Sequence, residues 1–193
     1  TEFAKYIASE LNMLLMVRRA SDLESMWLGQ TEKNIRDAFE EAQKDNAILF
    51  VDEADSFFTD RTSAHRSWEV SRTNEFLTQM ENHTGILICC TNLLDTLDKA
   101  SIRRFDWKVE FKPLTDEGKL KIYRKYFRLP GTRITSKLKD RIRDIPGITA
   151  GDIKTVWHKN RFIPPQELTH EHIIRQIEKE AQYKGDLKQQ IGF

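Results

Sequence analysis

The sequence predicts an α/β domain, with a parallel sheet covered by helices on both faces, followed by a small all-helical domain. Short apolar runs alternate with helical periodicities through the first part of the chain, which is the pattern of a parallel sheet. After Pro113 only helical periodicities remain, and Pro and Gly residues interrupt them. We therefore predict an α/β core over residues 1–112 and a helical lid over residues 113–193.

The first part of the chain begins with a predicted helix that leads into a strand. The apolar residues of the helix recur at helical spacing, and the run at 13–17 predicts a buried strand. A second helix is predicted from Thr31, as its cap, to Asn46. Its expected buried face carries Ile35, Ala38, Phe39 and Ala42.

Two further apolar runs, at 47–51 and 86–90, predict the next strands, with a helix around Phe76 between them. Apolar and polar residues alternate over 107–111, which predicts a fourth, half-exposed strand. The lid is expected to contain helices near 116–128, 135–144, 149–161 and 167–183, before a polar, frayed tail at 184–193.

Composition and charge exclude several classes of protein. The 193 residues include 31 Lys and Arg and 30 Asp and Glu, so the overall charge does not favour nucleic acid as a partner. No apolar run is long enough to insert in a membrane, and the first residues do not resemble a secretory signal. The two adjacent cysteines suit core packing in a reducing compartment. The five histidines lack metal-ligand spacing and are assigned to surface or packing roles. These features predict a cytoplasmic protein.

The strongest chemical signal is a strand that ends in Asp52, Glu53 and Asp55. Ligands of open α/β sheets bind at the carboxyl ends of the strands, where these side chains emerge. One carboxylate there can hold Mg²⁺ while its neighbour orients and deprotonates a water. The alternative is structural, because acidic side chains also stabilise the first turn of a helix.

This segment, residues 50–57, resembles the Walker B motif of the AAA ATPases, and four further stretches agree with that family in order and spacing. They are the pore-loop-like residues 21–30, the segment 74–80, Thr91 and Asn92 at the sensor-1 position, and residues 102–106 at the arginine-finger position. Residues 74–80 and the pore loop are most similar to the microtubule-severing and endosomal-sorting branch. The resemblance implies a P-loop NTPase-type sheet and a small helical lid.

The resemblance implies ATP and Mg²⁺ as cofactors and assigns roles to single residues. Asp52 would coordinate Mg²⁺, Glu53 would act as the general base, and Asn92 would position the attacking water. Arg103 and Arg104 would act on the nucleotide of a neighbouring subunit. The family commonly separates its two arginines by two residues, so the adjacent pair leaves open which one is the finger.

Two glycine-containing segments also match the family. Trp27, Leu28 and Gly29 would form a loop that grips a polypeptide in a central channel, although a core tryptophan is the alternative. Gly151 lies in a turn that is similar to the sensor-2 region, which would bring it near the nucleotide. Thr149 in the same turn is also a plausible helix cap. The implied assembly is a homohexamer.

The Gly-rich loop and lysine that cradle phosphates in this family do not occur in the sequence. Thr1 matches the Mg²⁺-binding hydroxyl residue that follows that lysine. We therefore expect a longer parent protein with ATPase activity, and an inactive fragment in the present chain. The predicted function is protein remodelling by ATP hydrolysis. The alternatives are a catalytically degenerate AAA scaffold and a nucleic-acid-handling AAA+ ATPase, for which Lys137, Lys139, Arg141 and Arg143 give weak support.

Overall fold

The computed structural model describes residues 1–58, 67–93 and 97–190. The chain divides into two compact units, Thr1–Lys108 and Val109–Phe193. The division falls slightly before the boundary predicted from the sequence. Of the histidines considered above, His65 lies outside the described residues.

The first unit is built on a three-stranded parallel sheet. Its strands are β1 (Leu15–Arg19), β2 (Ile48–Asp52) and β3 (Leu87–Cys89), in the spatial order β1-β2-β3. Strands β2 and β3 coincide with apolar runs, and β1 overlaps its run over residues 15–17. The fold class predicted from the sequence is therefore confirmed.

One helix precedes the first strand, and helices follow each strand along the chain. They are α1 (Glu2–Glu10), α2 (Ala20–Leu23), α3 (Gln30–Lys44), a 3₁₀ turn (Ala54–Phe57), α4 (Ser67–Asn82) and α5 (Lys99–Ile102). The core of this unit lies between one face of the sheet, including Leu49 and Val51, and helices α3 and α4. The four residues predicted for the buried face of α3 are all in this core. Helix α1 contacts β1.

Two details near the first strand differ from the prediction. Strand β1 starts at Leu15 rather than at residue 13, and it is only partly buried, because as an edge strand it has one neighbour. The cap of α3 is Gly29, with φ 76°, and Thr31 is not the cap. Instead, the Thr31 hydroxyl accepts a hydrogen bond from the Ser25 backbone N–H at 2.9 Å and so closes the preceding loop.

The predicted fourth strand at 107–111 is wrong. These residues form no strand, and Trp107, Val109 and Phe111 are 87%, 59% and 71% exposed. An alternating pattern allows a strand, but a strand forms only when its backbone groups find a neighbour. Within the described residues, β3 pairs with β2 alone, and no strand lies beside residues 107–111.

The second unit is all-helical and consists of α6 (Asp116–Tyr126), α7 (Ser136–Asp144), α8 (Ala150–Asn160) and α9 (His170–Gln190). Its helices agree with the predicted positions, except that α9 extends into the predicted frayed tail. A core of aliphatic and aromatic side chains, with Tyr123 and Ile173 almost completely buried, joins all four helices. In the part of the chain that the structure describes, no helix combines the length and apolar character needed to span a bilayer.

Candidate functional site

Acidic and hydroxyl side chains converge at the carboxyl end of β2. Asp52 is the last residue of the strand, and the Thr1 hydroxyl at the start of α1 donates a hydrogen bond to Asp52 Oδ2 at 3.2 Å. The fold thus joins two residues that are 51 positions apart in the sequence. Hydroxyl and carboxylate oxygens are hard donors of the kind that Mg²⁺ prefers.

The donor set fits Mg²⁺ bound together with phosphates rather than a metal held by protein alone. Among residues 1–58, 67–93 and 97–190, no three His, Cys, Asp or Glu side chains group as metal ligands. Mg²⁺ is commonly held by only one or two protein oxygens, with waters and substrate phosphates completing its shell. Thr1 and Asp52 are such a pair.

Glu53 follows Asp52 in an unusual backbone conformation. Its φ of 55° and ψ of 39° lie in the left-handed region, which residues other than glycine rarely adopt and which is enriched at functional sites. Two hydrogen bonds hold this turn. The Glu53 N–H donates to Asp52 Oδ1 at 3.1 Å, and the Ala54 N–H donates to the Cys90 carbonyl at 2.9 Å. The backbone of this turn is therefore fixed beside the end of β3, and the Glu53 side chain is exposed.

A second link joins the same turn to the residues that follow β3. The Thr91 hydroxyl donates to Asp55 Oδ1 at 3.3 Å and accepts from the Leu93 N–H at 3.0 Å. Asn92 lies between Thr91 and Leu93 and is exposed. Asp55 therefore positions the loop that carries Asn92. The sequence shows both Asp55 and Thr91 but does not show that they touch.

The cysteine at the end of β3 has a packing role. Cys89 packs against the core of the first unit. Burial and the adjacent Cys90 raise the pKa of the Cys89 thiol well above its usual range, so this thiol stays protonated at neutral pH. This agrees with the packing role predicted for the cysteines.

The two candidate finger residues follow α5 and differ in their contacts. Arg104 Nε donates to Glu81 Oε1 at 2.5 Å, and its Nη1 donates to the Ala100 carbonyl at 3.0 Å. Arg103 is exposed and makes no hydrogen bond or ion pair with the described residues. The sequence does not reveal Glu81 as a partner, because Glu81 is on α4.

The residues predicted for the pore loop lie together between α2 and α3. Met26, Trp27 and Leu28 are 98%, 75% and 97% exposed, so Trp27 is not a core residue. They border a cavity of about 580 Å³ that also contacts Arg72. Arg72 Nη1 pairs with Glu24 Oε1 at 2.8 Å and so ties the base of the loop to α4. Exposed apolar side chains in such a group are typical of an interaction site.

Gly151 belongs to the second unit and lies in the first turn of α8. The helix is capped by Thr149, whose hydroxyl accepts from the Asp152 N–H while Asp152 accepts from the Thr149 N–H at 2.7 Å. Thr149 therefore caps the helix, which is the structural role that the sequence suggested for it.

A parallel α/β sheet with Thr, Asp and Glu side chains at the carboxyl end of its middle strand defines the class of nucleotide-phosphate-binding α/β domains. Residues 1–113 match the family model described as "ATPase family associated with various cellular activities (AAA)". The chain belongs to the AAA family. The resemblance derived from the sequence is therefore confirmed.

Several curated proteins are similar to this chain. They include 26S proteasome regulatory subunit 6A of Schizosaccharomyces pombe, 35% identical over 66% of this chain and 32% of that protein. Vacuolar protein sorting-associated protein 4A of Rattus norvegicus is 30% identical over 86% of this chain and 40% of its own length. The Spastin homolog of Caenorhabditis elegans is 29% identical over 87% and 35%. The chain spans about half or less of the length of the curated relatives it matches.

Solved structures support the fold. The crystal structure of the FIGL-1 AAA domain in complex with ADP matches with a TM-score of 0.68 at 23% identity, covering 94% of this chain and 66% of that one. A second crystal structure of the FIGL-1 AAA domain matches with a TM-score of 0.66. At this identity the likeness concerns the fold.

Proposed function

We propose that this chain forms most of an Mg²⁺-dependent ATPase module that works in a ring and remodels proteins. The observation that carries the proposal is the convergence of Thr1, Asp52 and Glu53 at the end of β2. Similarity to Spastin, to a proteasome regulatory subunit and to a vacuolar sorting protein supports the protein-remodelling class.

In this proposal, Thr1 Oγ1 and Asp52 would hold Mg²⁺, which would supply positive charge next to the phosphates of ATP. Glu53, which is exposed at the end of β2, would accept the proton of the attacking water. Asn92 orients the same water, since an amide can donate and accept without adding charge. Gly151 is proposed as a further nucleotide-binding residue.

The contacts around α5 favour Arg103 as the residue that acts on a neighbouring subunit. Arg104 is held within its own subunit by Glu81 and by the Ala100 carbonyl, whereas Arg103 is exposed. An arginine finger typically contributes about 10³ to 10⁵ in rate. Arg103→Ala should therefore reduce turnover far more than Arg104→Ala. The assignment is wrong if Arg104→Ala causes the larger loss.

The exposed loop of Trp27, Leu28 and Gly29 supports a polypeptide as the substrate. Gly29 has a φ of 76°, a conformation that residues with a side chain rarely adopt, and this turn connects the exposed apolar residues to α3. Large apolar side chains grip a chain without reading its sequence, which suits unfolding of varied proteins. A homohexameric ring and a cytoplasmic location remain part of the proposal.

The deciding experiment compares ATP turnover with and without Glu53→Gln, in a protein that includes a Gly-rich phosphate loop before Thr1. We expect turnover to fall by roughly 10² to 10⁴, because a general base contributes about that much, while nucleotide affinity is retained. Glu10→Gln, at an exposed position at the end of α1, is the matched control and should leave turnover unchanged. Equal turnover in the Glu53 variant would exclude Glu53 as the base.

Absence of turnover in every variant, at concentrations that permit assembly, would leave the degenerate scaffold as the function. The nucleic-acid alternative loses part of its support, because Arg141 pairs with Glu171 and Glu178, and Arg143 pairs with Glu117 and Asp140. These two arginines hold the helices of the second unit together. Lys139, another of the four residues that gave weak support to the nucleic-acid alternative, is half-buried.

A further inference from the structure

The outer face of α6 carries a row of basic side chains that the proposed ATPase mechanism does not use. Lys121, Arg124 and Lys125 on the helix and Arg128 just beyond its end are all exposed, at i, i+3, i+4 and i+7 positions. We call these four residues the α6 basic row. In a helix, the spacing of Lys121, Arg124 and Lys125 places their side chains on one face, and Arg128 lines the same groove.

Within residues 1–58, 67–93 and 97–190, the α6 basic row has no ion-pair partner in its own chain. None of its four cations forms an ion pair there, although cations elsewhere in the same unit do. Lys119, on the inner side of α6, pairs with Asp116 and donates to the Arg143 carbonyl. Neighbouring cations at these spacings repel one another, so the row weakens the helix it lies on.

A part of the row has a structural explanation. Arg124 and Lys125 lie in the last turn of α6, where the helix dipole stabilises positive charge. Lys121 lies one turn earlier, and Arg128 lies beyond the helix end, so the dipole does not account for these two. A partner that brings negative charge accounts for all four.

The row borders a shallow surface groove of about 720 Å³ that the half-buried Ile122 and the exposed Glu117 also line. A phosphate backbone would use the cations but not the apolar side chain of Ile122. An acidic peptide with apolar side chains would use both. We propose that this groove is a docking site for such an acidic, partly apolar peptide segment of another protein.

The test is the affinity of the full chain for a fluorescein-labelled peptide of alternating Glu and Leu clusters, measured by anisotropy at low and at moderate salt. The variant Lys121→Glu/Arg124→Glu should bind roughly tenfold more weakly. Each surface ion pair contributes up to about a fivefold difference in affinity, and the reversed charges add repulsion. The same peptide with Gln in place of Glu should bind weakly to the unchanged chain.

The matched control is Arg133→Glu/Lys137→Glu, a reversal of two exposed cations of the same unit that do not line the groove. It should retain the affinity of the unchanged chain, and circular dichroism should show that both variants fold. An equal loss of peptide affinity in the two variants would mean that net charge alone causes the loss, and it would overturn the proposal. Tighter binding of single-stranded DNA of equal charge at the row would also overturn the proposal. So would a result in which the Lys121→Glu/Arg124→Glu variant loses self-association but still binds the peptide.

Discussion

Phe76 provides the strongest test of how the core supports the candidate site. Its ring is completely buried on α4, stacks on Phe57 at a centroid distance of 4.8 Å, and meets Phe39 and Phe58 edge-on at 5.4 and 5.2 Å. Phe57 ends the 3₁₀ turn that begins directly after Glu53. The aromatic cluster therefore anchors the segment that follows the proposed catalytic turn.

The substitution Phe76→Leu keeps most of the buried volume but removes three ring contacts. Aromatic pairs contribute about 0.5 to 1.5 kcal/mol each beyond burial, and contacts that share one ring are not fully additive. We therefore expect the free energy of unfolding to fall by roughly 1.5 to 3 kcal/mol. Phe76→Ala should cost about 3 to 5 kcal/mol because it also leaves a cavity.

The assay is unfolding in urea, monitored by tryptophan fluorescence. If the free energy of unfolding falls by about 2 kcal/mol per molar urea, the loss expected for Phe76→Leu shifts the midpoint by about 1 M. Hydrogen exchange should also become faster at the Ala54 amide, which bonds the Cys90 carbonyl. The control Phe162→Leu, at an 82% exposed position, should shift the midpoint little. A Phe76→Leu shift no larger than that of the control, at unchanged slope, would refute the anchoring role.

Three further predictions concern the site and the second unit. Asp55→Ala should lower ATP turnover by about tenfold or more with nucleotide affinity retained, because it releases the Thr91 hydroxyl, and Asp55→Asn should restore part of the rate. Trp27→Ala should abolish unfolding of a tagged substrate protein while the unfolding midpoint stays the same, because the side chain is 75% exposed. Burial lowers the pKa of His170 below 6.5, so the unfolded chain binds a proton at this histidine more readily than the folded chain does. The free energy of unfolding should therefore fall as the pH decreases through 6.5 toward the folded-state pKa. Urea midpoints of the unchanged chain and His170→Gln, compared across this range, would show that dependence or contradict it.

Local periodicity was sufficient to predict most of the elements. The strands at β2 and β3 and the helices of the second unit agree with the apolar runs and with the Pro and Gly breaks, because burial on a regular face leaves a repeating pattern. The same reasoning was wrong for residues 107–111. Their alternation is a local property, whereas a strand needs a neighbour that the sequence pattern does not provide.

Residue types at the candidate site could also be recognised from the sequence, because Asp52, Glu53 and Asn92 follow apolar strands in a family pattern. The hydrogen-bond partners of the site residues could not be recognised from the sequence. The sequence left Arg103 and Arg104 equivalent, and the hydrogen bonds of Arg104 to Glu81 and to the Ala100 carbonyl separate them.

The sequence by itself determined the fold class and the family, since these depend on residue type and spacing along the chain, and it predicted the kind of chemistry that we propose. Only the tertiary structure decided which side chains touch, as in the Thr1–Asp52 and Asp55–Thr91 pairs, and which cations have no described ion pair, as in the α6 basic row. The physical reason is that spacing places a residue on a face of an element, whereas a hydrogen bond requires two elements to be packed within about 3 Å at that point.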